Sequence, residues 1–499
     1  MVIGIDVGGT NTDAAIIGEN FATFKLPNEV GMAEVLKEIS KKVDLAKEKV
    51  VVSTSLPLNL VISKFSEIKT LPILAPGPGL NYSNYGFVVR GFVNHRGELA
   101  EDIDEEEIEE LLKSKQYENV AIAAKFSPRN SIIEEKIKKI ASRYIEESRI
   151  ACSYHVGSLN YPARINTTLI NAKTKPIVYD LTTSIKKFVK EFYYFTGDGG
   201  IVPDIIAVEN PSLLYNSSAA AVAVGASFLT GEKDALIIDI GGTSTDFVLL
   251  KDGMPKITDC VEIYGKKTLI RCADSVSIPF GGDSLIDGRI KPVRLDKPIA
   301  FGGKYFTFTD ALNCLGYEIG DYRKSRDFKK DFNCEAVFDQ FISVASEVVS
   351  MFEADKIVAA GYLSPILVPE IAKRCGIRCI VPEHYGVVNA IGVAVSKISL
   401  QMYARYDTEK GIASFNGKLE RCPFRVGKIP EKEEILDVTI SKLYEIARNI
   451  GADESEFGNP KILYFNSYTI VRGNMRRGLI ADVVAQLEPG IRYELRRLL

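Results

Sequence analysis

Short β-branched runs punctuated by glycine and polar residues open the chain, and they predict strands at 2–7, 13–17 and 21–26. Val35, Leu36 and Ile39 then fall on one face of a helix predicted over 31–47, and VVVST predicts a strand at 50–54. The acidic stretch Glu101 to Ser114 places Ile103, Ile108, Leu111 and Leu112 at helical spacing. Its charge therefore reads as a solvated helix face, with acids in the first turns where they suit the helix dipole, and not as a cation site. A buried strand at 119–127, helices at 131–145 and 162–172, a strand at 192–195 and a turn at 196–200 follow. NSSAAAVAVGASFLTG, at 216–231, is apolar almost all round and closes on glycine, which predicts a tightly packed buried helix. Farther on come a Gly-rich loop at 277–288, a strand, Gly turn and helix at 356–376, and a further strand, loop and helix. Beyond about residue 400 charge rises and the period weakens, with one helix predicted at 431–450. This order predicts an α/β chain divided into a lobe at 1–204, a second lobe at 205–400 and a small α+β domain at 401–499.

One polar pattern interrupts the apolar runs twice. DVGGTNTD (Asp6 to Asp13) and DIGGTSTD (Asp239 to Asp246) each follow a β-branched strand, and apolar residues resume after each, so both read as strand, Gly turn, strand. A carboxylate in a buried strand is costly unless paired, which places Asp6 and Asp239 at strand ends within reach of a cation or its water shell. Gly8, Gly9, Gly241 and Gly242 allow positive φ and let backbone N–H groups close on phosphate oxygens, and Thr10, Thr12, Thr243 and Thr245 add hydroxyl donors. No GK[ST] or GxGxxG follows, so this is neither a Walker loop nor a Rossmann turn. An ordinary Gly-Gly hairpin explains one copy. Two copies in matching strand contexts argue for two related lobes facing one nucleotide.

Composition narrows the partners. A chain of 499 residues suits two to four domains with ample core. Hydrophobic residues at 46% and charged residues at 25% are ordinary for a folded protein, and a formal net charge of −3 gives no electrostatic case for nucleic acid or an anionic membrane. No apolar run approaches the roughly 18 residues of a membrane span. The N-terminus opens directly on a strand without a signal peptide, so the cytoplasm is the expected location. The cysteines form no CxxC pair and read as reduced thiols, mostly in the core, and His95, His155 and His384 have no metal-ligand spacing.

Several other positions carry chemistry on one of two readings. Asp283, in the loop of Gly281 and Gly282, is either a general base for water or a hydroxyl, or, more commonly for such residues, an Asx turn with Ser284 or a helix cap. His95 and Arg96, after a strand, suit a functional or lobe-locking role as well as they suit the ordinary structural one of a lone His at a strand end, and turn chemistry explains Asp198 in TGDGG as well as a cleft role does. Gly361 ends a strand where a planar group can approach the backbone.

With two DxGGTxTD hairpins and a late strand–Gly–helix unit, the chain resembles the actin-like ATPase fold shared by sugar kinases, acetate kinase and heat-shock ATPases. Within that superfamily, residues 1–400 are similar to the A-type subunits of the hydantoinase/oxoprolinase family. The similarity lies in IGIDVGGTNTDAAII, GFVNHRGE, INTTLINA, the DGG of TGDGG, AVGASFLTG before DIGGTSTDFVLL, FTDALNCLG and AAGYLSPILVPEIAKRCGIRCIVPEHYGVVNAIGVA, and more weakly in IADVVAQLEPGI. The resemblance implies two actin-like ATPase (ribonuclease H-like) lobes with a nucleotide cleft between them, plus a small C-terminal domain. It implies an ATP-dependent hydrolase that opens a cyclic amide, such as a hydantoin or 5-oxoproline, through a phosphorylated imidate. A B-type subunit usually stands beside such chains, and homo-oligomerisation is left open. Asp6 and Asp239 would organise Mg2+. The Gly and Thr residues of both hairpins, with Gly281 and Gly282, would hold the phosphates of ATP, and Gly361 and Tyr362 would border the adenosine. Asp13 and Asp246 would orient a nucleophile or pair with their own turn amides, the turn role slightly ahead.

The chain also departs from the family pattern. KPVRLDKPIAFGGKYFTF replaces a long SAGA…PGPACYG segment, Asp283 stands in the usual glycine run, Asn216 to Ala219 replace an SGPA turn, and SPRNSIIEE lacks the histidine of an NPxHE-like segment. These departures keep a small-molecule kinase and a non-catalytic nucleotide-binding module as alternatives.

Overall fold

VIGIDV forms a buried strand, Val2–Val7, at the centre of the first sheet. The computed structural model describes residues 1–19, 21–28, 31–79, 81–328, 332–450 and 452–499. The first sheet runs in the order Ile201–Pro203, Phe192–Phe195, Lys49–Thr54, Val2–Val7, Asn11–Ile17, Ala22–Pro27. Val2–Val7 pairs antiparallel with Asn11–Ile17, setting Asp6 opposite Asp13, and parallel with Lys49–Thr54, setting Asp6 opposite Ser53. The same arrangement recurs in a later sheet. There Ala235–Ile240 pairs antiparallel with Thr245–Lys251, Asp239 opposite Asp246, and parallel with Lys356–Ala360, Asp239 opposite Ala360. Both motifs are thus strand, tight turn, strand, as their residue pattern dictates, and the chain has the mixed α/β, actin-like architecture.

Two helices join these sheets. Ser217–Thr230 is the Ala-rich helix: small residues leave it buried on nearly every side, and it ends on Gly231 in the left-handed region at φ 78. It starts at Asn216, also left-handed at φ 57. Asparagine tolerates that conformation, and its Nδ2 donates to Ala273 O at 2.8 Å and Ser275 Oγ at 2.9 Å. Helix Val388–Val395 packs against both this helix and strand Val2–Val7. The approach needs glycine three times. A Cβ on Gly4 would collide with Ala390 O, one on Gly225 with Val388 O, and one on Gly392 with Ala221 O.

Other elements differ from the sequence expectation. The helix expected at 162–172 extends over Tyr161–Lys186, and the one expected at 31–47 stops at Ser40. The acidic helix is Glu105–Ser114, with Asp104 accepting from Glu107 N as its cap. A four-stranded all-parallel sheet, ordered Ile150–Cys152, Asn119–Ala124, Thr70–Ala75, Phe87–Val88, flanks the first sheet. The last part of the chain forms a five-stranded antiparallel sheet dominated by the hairpin Pro460–Arg472 and Met475–Leu487, with helix Lys432–Asn449 against it. Arg96 ties the early part of the chain to this sheet, donating through Nε to Asp407 Oδ2 at 2.9 Å and through Nη1 to Glu409 Oε2 at 2.7 Å, so the HRG stretch carries a latch. Asp198 accepts from Thr196 Oγ1 at 2.6 Å and Gly200 N at 3.3 Å, which is turn chemistry, and Gln486 of the last sheet reaches its other oxygen at 3.4 Å. Among the described residues, no helix is long and apolar enough to cross a membrane.

Candidate functional site

The two sheets bring Asp6 and Asp239 to one place. Asn389, at the start of helix Val388–Val395, donates through Nδ2 to Asp6 Oδ2 at 3.2 Å and to Asp239 Oδ2 at 3.3 Å. Ser218, in the first turn of the Ala-rich helix, donates to Asp6 Oδ1 at 3.2 Å, so the N-terminal ends of both central helices converge on the pair. Burial is the main reason both carboxyls titrate high. Asp6 is raised to about 6, with Asp13 adding repulsion and Ser53, Asn389 and Ser218 opposing it; Asp239 is raised to about 7, with Asp246 and Asp6 adding repulsion and Asn389 opposing it.

The turns face each other above this pair. A Cβ on Gly9 would lie 3.6 Å from Thr243 Oγ1, and one on Gly242 would lie 3.0 Å from Thr10 Oγ1, so both tips border one narrow space. Gly8, Gly9, Gly241 and Gly242 all lie outside the left-handed φ region, contrary to the expectation from the sequence. What they provide is close approach: Gly8 N donates to Asn11 O and Gly241 N to Ser244 O, each at 3.0 Å, to close the turns. The four threonines divide likewise. Thr10 and Thr243 sit in the turns, whereas Thr12 is buried and donates to Asn28 Oδ1 at 3.0 Å, and Thr245 is buried and donates to Phe280 O at 2.8 Å. The latter two hold neighbouring loops and are not phosphate donors in this geometry.

The structure gives Asp13 and Asp246 partners other than their turn amides. Asp13 pairs with Lys25 on the adjoining strand at 3.0 Å, and Asp246 lies opposite Ser277 with Ser244 Oγ at 3.4 Å; burial raises both carboxyls. The loop of Gly281 and Gly282 is bound onto the second turn, with Gly282 N donating to Gly241 O at 3.0 Å and Asp283 N to Gly242 O at 2.7 Å. Asp283 does not form the Asx turn, because Leu285 N donates to Val293 O at 2.9 Å; the Asp283 side chain instead accepts from Arg294 Nε at 2.9 Å. Burial raises the Asp283 carboxyl and Arg294 opposes that shift.

Gly361, at φ 88, closes the far wall. Its N–H donates to Tyr385 O at 2.8 Å, and a Cβ there would stand 2.8 Å from Asp239 Oδ1. Tyr362 beside it is 52% exposed and available to a ligand, ahead of helix Ser364–Cys375. Asn389, Ser218, Ser53 and Arg294 are residues that motif reading overlooks. Asn389 alone carries a local signal, as a polar residue inside the apolar GVVNAIGVAV run.

The sequence signature described as hydantoinase/oxoprolinase matches residues 164–352, and that of the hydantoinase/oxoprolinase N-terminal region matches residues 78–145, together just over half of the chain. The chain belongs to the hydantoinase/oxoprolinase family. The second hairpin lies inside a matched stretch and the first lies outside both. An uncharacterized protein of Methanocaldococcus jannaschii is 24% identical over 365 residues, covering 63% of this chain and 51% of the relative, so the match spans about half the length of that curated relative. Among solved structures, the fold is shared with nucleotide-free acetone carboxylase (TM-score 0.72, 15% identity, 99% of this chain and 88% of that one). It is also shared with the ATP-dependent caprolactamase of Pseudomonas jessenii (TM-score 0.65, 16% identity, 98% and 87%).

The raised carboxyls make a prediction for the ligand-free protein of this family. Their folded values exceed the unfolded 3.8, so between 3.8 and about 7 the folded chain holds more protons than the unfolded one. That contribution to stability is full below 3.8 and is lost as pH rises to about 7. Denaturant titrations in a chelator across this range should show wild type losing more stability with rising pH than Asp239→Asn. Identical pH dependence in the two would show that Asp239 does not titrate in this window.

Proposed function

We propose that this chain is an ATP-dependent hydrolase that opens a cyclic amide, such as a hydantoin or 5-oxoproline, through a phosphorylated imidate. The observation that supports it best is the convergence of Asp6 and Asp239 from two equivalent sheets beneath two facing Gly turns, both carboxylates held by Asn389. The donor set suits Mg2+. Among the described residues no group of three or more His, Cys, Asp or Glu clusters as a metal site, and Mg2+ is typically held by one or two carboxylates with water and phosphate oxygens completing the shell. Bound there, Mg2+ would supply charge neutralisation to the phosphates.

The chain's own residues do the positioning. Backbone N–H groups of the turns at Gly8 to Thr10 and Gly241 to Thr243, with the Thr10 and Thr243 hydroxyls, hold phosphate oxygens, and Gly281 and Gly282 brace the second turn. Gly361 and Tyr362 border the adenosine. The amide carbonyl oxygen takes the γ-phosphoryl group as ADP leaves, which makes the ring carbon electrophilic. Asp283 removes a proton from a first attacking water, the ring C–N bond breaks as the nitrogen takes a proton and an acyl phosphate is left, and a second water then displaces phosphate to leave the carboxylate. In this reading residues 1–204 and 205–400 are the two lobes, residues 401–499 are a C-terminal domain, and a B-type subunit is the expected partner.

Incubating the full chain with Mg·ATP and a panel of hydantoin, 5-oxoproline, caprolactam, a simple ketone and polyols tests the proposal. Free phosphate released in step with an opened amide is expected. A stable phosphorylated polyol would instead establish the kinase reading, and ATP binding without turnover on any member would establish a binding module.

A further inference from the structure

A single arginine stands at the mouth of the cleft with its charge already engaged. Arg294 lies in the loop after strand Arg289–Ile290, within the KPVRLDKP stretch that replaces a longer family segment, and its Nε donates to Asp283 Oδ2 at 2.9 Å. That same carboxylate oxygen is 2.9 Å from the point a Gly242 Cβ would occupy, and Thr10 Oγ1 is 3.0 Å from that point. Asp283 is therefore lodged between the tips of the two turns, within about 6 Å of Thr10 Oγ1. The backbone bond from Asp283 N to Gly242 O keeps it there. Among the described residues, Lys25 is a further cation near the turns and is engaged with Asp13 on the neighbouring strand. An anion entering between the tips meets repulsion from Asp283 and attraction from Arg294 at the same place.

We propose that Arg294 is the residue that reads the terminal phosphate of the nucleotide, exchanging Asp283 for the γ-phosphoryl oxygens when a triphosphate binds. The inference rests on the nucleotide reading above and names the group that separates a triphosphate from a diphosphate at that site. A guanidinium presents a planar fork that matches two phosphate oxygens, and it sits 35% exposed on a loop, free to rotate by side-chain motion alone. A diphosphate held by the turns does not reach it and leaves the Arg294–Asp283 pair closed. Once the exchange has occurred, Asp283 is an uncompensated carboxylate beside the transferring group, where its proposed work as a base begins.

Calorimetric binding of a non-hydrolysable Mg·ATP analogue and of Mg·ADP to the full chain decides the matter. Arg294→Ala should weaken the ATP analogue about 10- to 100-fold while ADP changes by less than about twofold, as expected for one charge-assisted bidentate contact. Arg294→Lys should fall between, since it keeps the charge and loses the fork. Asp283→Asn should bind the analogue several-fold more tightly than wild type while turning over less ATP. Equal weakening of both nucleotides by Arg294→Ala, or of neither, overturns the proposal, as does unchanged or weaker analogue binding by Asp283→Asn. A wild-type chain that binds neither nucleotide overturns the nucleotide reading itself, a result distinct from either.

Discussion

Replacing Asp239 or Asp6 by asparagine should lower Mg2+-dependent ATP turnover at least about 100-fold, because loss of even an outer partner of a metal site commonly costs about 10- to 100-fold. The effect should lie mainly in metal-dependent nucleotide affinity, visible as a rightward shift in a Mg2+ titration. Folding should not suffer. Both carboxyls are raised by burial, so removing the charge relieves a desolvation cost, and the denaturation midpoint at neutral pH should hold or rise. This combination separates a ligand role from a structural one, which would lower both quantities together. Asn389→Leu, which removes the amide shared by both carboxylates, should lose about 10- to 100-fold in turnover on the same argument. Full turnover in both aspartate variants would sink the assignment.

The parts of this site that are legible in the sequence are the local ones. Asp, Gly-Gly and Thr stand at fixed offsets within β-branched runs, and a hairpin needs only neighbours in sequence, so both turns are plain from the residues alone. The same pattern misleads about Thr12 and Thr245. They look equivalent to Thr10 and Thr243, but each lies within its strand's ladder and is drawn to a neighbouring segment, to Asn28 in one case and Phe280 O in the other. Asn389 and Arg294 gain their positions from tertiary structure. One needs a late helix inserted against the first strand of the chain, and the other needs the course of the loop after strand Arg289–Ile290. Tyr161–Lys186 illustrates a different obstacle. Thr167, Thr168, Asn171, Lys173, Thr174 and Lys175 are all buried, so polar residues break the apolar stripe through the middle of the helix. Their polar groups are satisfied by carbonyls or by Glu209 and Asn210. The strands Ile150–Cys152 and Phe87–Val88 are too short to show a period of two.

The second large effect lies in the packing that carries Asn389. Gly225→Ala and Gly392→Ala should each destabilise the chain by about 3 kcal/mol or more, at or above the usual range for overpacking, because the added methyl meets backbone and not a side chain that can rotate away. At Gly392 it meets Ala221 O and the Gly225 N–H, and at Gly225 it meets Val388 O, so either variant pries the two central helices apart. Val388 is the residue before Asn389, and a shift there moves the amide away from two carboxylates that it reaches at 3.2 and 3.3 Å. On the proposed nucleotide reading, the geometry couples stability to binding: both variants should lower the thermal midpoint and weaken Mg·ATP together. Gly386→Ala is the control. It lies three residues before Asn389 with ordinary φ and nothing within 4 Å of its added methyl, and it should change stability by no more than about 0.5 kcal/mol. If Gly225→Ala and Gly392→Ala behaved like Gly386→Ala, the helices would not be in backbone contact. The route from Gly4, Gly225 and Gly392 to the carboxylate pair would then be lost with them.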